Sequence, residues 1–491
     1  MRRLLLDSLL GAALAGSVAL GQGAPEKLTD KVEPDRLRAD PAVLMNGQAF
    51  PLLDEVKTKF REPRRVFYAN SGAPADGDGS EAKPWKDVQK ALCLLHPGDR
   101  LVLQPGVYTG PWVVGKGCRD GTADAPIQLF GEESFLHGGV EKNPLMTISR
   151  AHWQIWNPEL VLGPAATAGV VVSGPGAHDI ILDDLHIYDG RGHAIRIGEG
   201  SSRVTVSNSH IHQSSGVVVT GPAEGIVFTR NKIHHNFAGP ITLAGGPAGL
   251  VEDVVVSRNK FHNDAGPAVS MSAVRNVRLD TNKIYNYRPS GEFAGTALRI
   301  GPDSRNVVVE GSFFAEATGG IRIGETGAAP PTDVVIRRNY FENRLTPDGV
   351  AVEIVAGRDV RVLNNTVNRY AVAFRGPSGA GAGERLTVAN NLVLDATGVA
   401  MRFPQPAAVA YLDHNVFSGA PGKVQVQLGA ATADVEAHRA AGRMKNSRVE
   451  RLDFVGRDLA KLGGGSLANA GRPFDSLTFE GSAPDIGVAE R

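Results

Sequence analysis

Apolar residues alternate along most of the chain within one recurring unit: apolar, any, apolar, two further residues, Asn, any, apolar. The unit reads Ile226-Phe228-Asn231-Ile233, Val254-Val256-Asn259-Phe261, Val277-Leu279-Asn282-Ile284 and Val334-Ile336-Asn339-Phe341. It continues as Val360-Val362-Asn365-Val367, Leu386-Val388-Asn391-Val393 and Ala410-Leu412-Asn415-Phe417. Ser209 and Ser312 occupy the Asn slot in two more copies, and Leu185 in an earlier one. Successive slots from Ser209 onward lie 22 to 30 residues apart. Period-two alternation is the mark of a strand with one face inward. A strand-turn-strand unit recurring at this spacing specifies a solenoid.

The Asn is expected at a sharp bend between two short strands, where it tolerates left-handed backbone. Stacking then sets each amide above the last, so the amides bond along the axis as a ladder. A third strand follows a variable turn, as in Ala297-Leu298-Arg299-Ile300, Gly320-Ile321-Arg322-Ile323 and Ala351-Val352-Glu353-Ile354. The pattern predicts an all-β parallel β-helix of about thirteen coils, about 60 Å long at the usual strand spacing. It spans residues 84–418, between a leader over 24–83 and a C-terminal capping segment over 419–491.

Open solenoid ends expose strand edges and need covering. Pro84 to Leu92 reads as an amphipathic N-terminal capping helix with Val88, Leu92 and Leu95 on one face. Residues 434–445 read as a helix, and Pro484-Asp485-Ile486-Gly487 as part of the C-terminal cap.

Composition adds little to the fold and more to the setting. The 491 residues include 59 glycines, which suits many tight turns, and the formal net charge is zero. No global field therefore points to nucleic acid or a membrane surface. Arg2 and Arg3 precede an apolar run from Leu9 to Leu20, which reads as a signal peptide over residues 1–23. That predicts a periplasmic or secreted monomer with no membrane span after cleavage. Export would put Cys93 and Cys118 in an oxidising compartment, either as a disulfide or as two separate thiols.

Several segments resemble a known group. Phe67-Tyr68-Ala69-Asn70-Ser71-Gly72, Pro84-Trp85, Pro97-Gly98-Asp99 and Pro105-Gly106-Val107-Tyr108 resemble the entry of secreted right-handed parallel β-helix proteins. Gly121 to Ile127 is similar to the first coils of the chondroitinase-B and alginate-lyase family of polysaccharide lyases. The resemblance covers residues 67 to 420. It implies a right-handed helix and carbohydrate chemistry.

Outward columns locate the candidate chemistry. The residue after each Asn slot gives His186, His210, Lys232, Lys260 and Lys283. The third after it gives Tyr188, His212, His234, His262 and Tyr285. Cations there meet carboxylate or sulfate, and rings pack on sugar faces, which suits an acidic polysaccharide. His234, His262 and Lys260 are accordingly candidate substrate contacts. A solvated face is the plain alternative. The outer column of the third strand reads Arg196, Thr242, Ser270, Arg299, Arg322, Glu353 and Ala373, with Arg375 just beyond. Arg299 and Arg322 are candidate substrate clamps, since guanidinium grips carboxylate bidentately.

Gly319 to Gly324, Asn339-Tyr340-Phe341, Glu353 to Arg358 and Phe374-Arg375-Gly376 are similar to three successive coils of chondroitinase B. Carried over, Arg358 stands at a catalytic lysine, Arg375 at the catalytic arginine, Glu353 at a calcium-binding glutamate and Glu316 at a calcium-binding Asn. The resemblance thus implies calcium, but the chain departs from it with Arg for Lys at Arg358 and with Ala351 for a second calcium-binding glutamate. The implied reaction is β-elimination on a uronate: the carboxylate is neutralised, a base takes the adjacent proton, and the linked sugar leaves. Bringing an arginine from a pKa of about 12.5 to about 7 costs roughly 7 kcal/mol, so Tyr370 stands behind Arg358 as an alternative base.

Three other readings fit the same surface. Gly190 to Gly198 looks like the Gly-His-Gly element of polygalacturonase-type hydrolases, but Asp183 and Asp184 precede His193 on another face, where paired carboxylates would be needed. A uronate C5-epimerase shares the proton abstraction. A non-catalytic glycan-binding β-helix shares the surface.

Overall fold

The computed structural model describes residues 60–491 except 139–141, 288–294, 345, 347, 380, 453–464, 475–481 and 488–491, plus the strands Leu44–Met45 and Gln48–Ala49. They belong to the unit Pro34–Arg491. The expected signal segment 1–23 and most of the leader lie outside the described residues.

The unit is a right-handed parallel β-helix of about 12 turns, close to the number the repeat implies. Each coil contributes one strand to each of three sheets, of 15, 14 and 14 strands. In the coil of Asn339, Thr332–Arg337 lies in the first sheet, Tyr340–Glu342 in the second and Val350–Ile354 in the third. Coil-to-coil pairing is parallel and in register, so like residues stack. Val204, Ile226, Val254, Val277, Val307, Val334 and Val360 form one fully buried inward column. Phe314 and Phe341 stack inside the second sheet with ring centroids 4.7 Å apart. Burial of these columns is the main stabilising term of each coil.

The Asn ladder forms as the pattern predicts. Asn339 N donates to Asn365 Oδ1 at 3.0 Å, Asn365 N to Asn391 Oδ1 at 2.9 Å, and Asn391 N to Asn415 Oδ1 at 3.0 Å. Ser312 and Ser209 fill their rungs through hydroxyl oxygens. The ladder runs one rung past the sequence repeat, where Asn415 N donates to Ser447 Oγ at 3.1 Å. One detail differs from expectation. The left-handed residue is the one before the Asn: Arg230, Arg258, Thr281, Arg338, Asn364, Asn390 and His414 all have φ between 52° and 58°. The Asn side chain points inward to accept along the axis, so the preceding residue takes the bend.

The N-terminal helix is Val88–Leu94, with Asp87 as N-cap accepting from Lys90 N at 3.0 Å and Val88, Ala91 and Leu92 buried. The first sheet starts before it, since Arg65–Ala69 pairs with Asp99–Leu103. Cys93 and Cys118 form a disulfide between that helix and the first coils. Near the other end, Gln425–Leu428 and Ala431–Asp434 pair antiparallel, and the helix Val435–Ala440 follows, shorter than expected. Ile486 packs beside Leu392, Leu394 and Val416 rather than on the end of the stack.

Candidate functional site

The third sheet lines up the arginines. Pairing runs Ser270, Arg299, Arg322, Glu353, Arg375, Arg402, Gln427 on successive coils. Two positions differ from the sequence reading. Arg375, not Ala373, occupies the column after Glu353, and Ala373 is fully buried in the core. Val218 separates Arg196 from Thr242. Arg402 extends the column and was missed, although Met401-Arg402-Phe403 carries the same apolar-Arg-apolar signal as Ile321-Arg322-Ile323.

Glu353 is held from both sides. Its Oε2 accepts from Arg322 Nη1 at 2.8 Å, and its Oε1 from Arg375 Nη1 at 3.1 Å. Arg299 pairs with Glu325, a second acidic residue the sequence did not single out. Arg402 Nε is buried and has no hydrogen-bond partner among the described residues. The column is therefore a strip with more guanidinium than carboxylate, half-open to solvent. Guanidinium groups in such a strip have the planar fork geometry that suits two-point contact with a carboxylate.

The other candidates fall elsewhere. Tyr370 is buried in the core and donates its hydroxyl to Ala317 O at 2.9 Å. Burial drives its phenol far above the ordinary range. A side chain sealed inside the coil cannot reach a polymer, which corrects its reading as a base. Arg358 lies beyond the corner, on the first sheet, where its Nε pairs with Glu384 at 2.9 Å. Its place on the first sheet, paired with Glu384, sets Arg358 apart from the third-sheet column.

The expected calcium donors do not fit the ion. Both Glu353 oxygens are engaged by guanidinium groups. Glu316 stands on the second sheet, where its Oε2 accepts from Arg344 N at 3.1 Å. Calcium needs six to eight oxygens in one shell, and these two side chains lie on different sheets of different coils.

His234, His262 and Lys260 form a separate face on the second sheet, in the expected columns. They are not part of the arginine strip. His212, His234, His262 and Tyr285 stack in near-parallel planes with centroids 4.5 to 5.3 Å apart. Their faces cover one another, so the column offers edges rather than faces to a sugar. Burial, aided by neighbouring cations, lowers His262 to about 3 and His234 to about 2. Lys260 Nζ sits over the Tyr285 ring at 5.6 Å.

The hydrolase constellation is separated as the columns implied. Asp183 closes a first-sheet strand and accepts from Asn208 Nδ2 at 2.7 Å. His193 opens a third-sheet strand, with its Nδ1 3.3 Å from Ser215 O.

A family model described as right handed beta helix region matches residues 216–393. No curated protein matches the chain. Among solved structures, the chain is similar to the PL6 family alginate lyase AlyGC, at 14% identity over 76% of this chain and 53% of that one, with a TM-score of 0.50. It thus spans about half of that lyase's length. It is also similar to pectate lyase Pel9A, at 15% identity over 87% of this chain and 97% of that one, with a TM-score of 0.43. The A-module of the Azotobacter vinelandii mannuronan C-5 epimerase AlgE6 matches at 12% identity over 72% of this chain and 100% of that one, with a TM-score of 0.43. These likenesses are of fold. No helix among the described residues is long and apolar enough to cross a membrane.

Proposed function

We propose that the protein is an exported polysaccharide lyase that cleaves a uronate-containing acidic glycan by β-elimination on the third-sheet strip. The observation that carries this reading is Glu353 clamped between Arg322 and Arg375, with Arg299 and Arg402 continuing the column. The uronate carboxylate exchanges with Glu353 on the two guanidiniums, which neutralise it and acidify the adjacent C–H. The displaced Glu353 oxygen takes that proton. The C–H electron pair forms the new carbon–carbon double bond, and the C–O bond to the neighbouring sugar breaks. The departing oxygen is protonated from water. Arg299 and Arg402 grip flanking uronates. Arg358 serves as an edge cation in this scheme, and no step passes through calcium. The Cys93–Cys118 disulfide supports export, because such bonds persist in oxidising compartments.

The test is a panel of acidic polysaccharides incubated with the purified protein. Ultraviolet absorbance of an unsaturated product supports the reading. New reducing ends without absorbance would indicate a hydrolase, and altered uronate composition with neither would indicate an epimerase. Either outcome rejects the lyase. Glu353→Gln should abolish turnover while substrate binding remains, and Arg358→Ala should keep most of it; the reverse result would move the base to Arg358.

A further inference from the structure

We propose that His186, His210 and His212, on the second sheet, bind a divalent transition-metal ion of the zinc class. The site is independent of the lyase reading and lies on a different sheet from the arginine strip.

The three side chains offer ligand nitrogens that all lie within 4.8 Å of one another. His186 and His210 stack in parallel planes, 2° apart, on successive coils. All three are half-buried, so an ion has access from solvent. Zinc holds imidazole nitrogens at about 2.0–2.1 Å, which puts two tetrahedral ligands about 3.3–3.4 Å apart. Small ring rotations reach that spacing.

Tautomers make the stronger argument. Glu159 Oε2 lies 3.5 Å from His186 Nδ1. Gln213 Oε1 lies 3.1 Å from His212 Nδ1. An oxygen acceptor at Nδ1 keeps the proton there and leaves Nε2 a bare lone pair, the arrangement that orients histidines toward metals. His186 Nε2 and His212 Nε2 nevertheless face each other at 2.9 Å. Two bare lone pairs at that distance repel unless a cation lies between them. Neutral imidazoles are what a borderline-soft divalent ion requires. Tyr188 fixes the outer carboxylate by donating to Glu159 Oε2 at 3.1 Å. His234 Nε2 lies 2.7 Å from His210 Nε2, at the edge of the group.

Other histidine groups are less well built. At His152, His178 and Asp179, the carboxylate is already held by Arg203 at 2.7 and 2.8 Å. At His234, His235 and His262, no carboxylate among the described residues orients a ring through its second nitrogen.

Chelator-treated full-length protein would be titrated with Zn2+ against a chromophoric competitor, and with Co2+ while following the visible bands of tetrahedral cobalt. Wild type should show both competition and bands, and His178→Ala should retain them. His212→Gln should lose the bands. Glu159→Gln should keep the bands but weaken zinc binding about 10- to 100-fold, as outer partners of ligating histidines do. Circular dichroism checks the fold. Should His212→Gln unfold, His186→Gln carries the same test, since that ring is at the solvent boundary. Absent cobalt bands, or bands that survive His212→Gln or His186→Gln in folded protein, overturn the proposal.

Discussion

Replacing Asn365 by Ala removes one rung of the ladder at a position with no solvent access. Asn365 Oδ1 accepts from Asn339 N at 3.0 Å and from Asn339 Nδ2 at 3.1 Å. Its Nδ2 donates to Ile336 O at 2.9 Å, Leu363 O at 3.0 Å and Asn391 Oδ1 at 3.1 Å. Several of these partners survive the loss. Asn339 Nδ2 still bonds Val309 O, and Asn391 Oδ1 still accepts from Asn365 N. Asn339 N and Ile336 O are the groups left buried without that partner. An orphaned buried polar group costs about 1–3 kcal/mol, so the pair sums to about 2–6 kcal/mol. Urea unfolding followed by far-ultraviolet circular dichroism measures it as a shift in midpoint at constant slope. Asn365→Ser is the internal control. Ser312 already shows that a hydroxyl can accept from the coil below, so serine should recover about half of the loss. A loss within about 0.5 kcal/mol of wild type for Asn365→Ala, the range of an ordinary surface change, would refute the ladder as a stabilising element.

Further outcomes follow from the same geometry. Asp264 accepts from Asn236 N at 2.9 Å and from the Tyr287 hydroxyl at 3.0 Å, and burial raises its carboxyl to about 8. Its folded pKa lies above the unfolded value, so its contribution is complete at low pH and lost as pH rises toward about 8; Asp264→Asn should flatten that decline and be more stable than wild type at pH near 9, measured by urea midpoints. Cys93→Ser opens a loop spanning 25 residues and should lower stability by about 3.5 kcal/mol, read as a lower melting temperature under non-reducing conditions only. Arg375→Ala should abolish turnover on the active glycan while shifting the urea midpoint by less than about 1 kcal/mol, because its pair with Glu353 is partly solvated.

Much of the solenoid was legible because its rules are local. Alternation sorts Val360 and Val362 inward wherever the coil sits, and one Asn per coil suffices to index the stack. Turn residues escape that rule. Tyr370 lies between strands, where no alternation operates, so its inward rotamer could not be inferred. Ala373 and Arg375 show a milder failure: the variable turn before the third strand shifts the phase by an amount only the hydrogen-bond register reveals. The left-handed residue was misplaced by one, because propensity favours Asn there while the ladder needs that Asn to point inward.

The period, the inward columns, the ladder and the outward histidine column belong to the sequence, since each follows from spacing within a coil, whereas the arginine column past Glu353 needed the strand register. Partnership belongs to the tertiary structure. Glu353 between two arginines, Arg358 drawn to Glu384, stacked imidazoles hiding their faces and Glu159 beside the His186 ring all join residues from different coils. Coil lengths vary, and side-chain rotamers choose among neighbours a few ångströms apart. Electrostatics and packing decide those choices only once the coils are stacked.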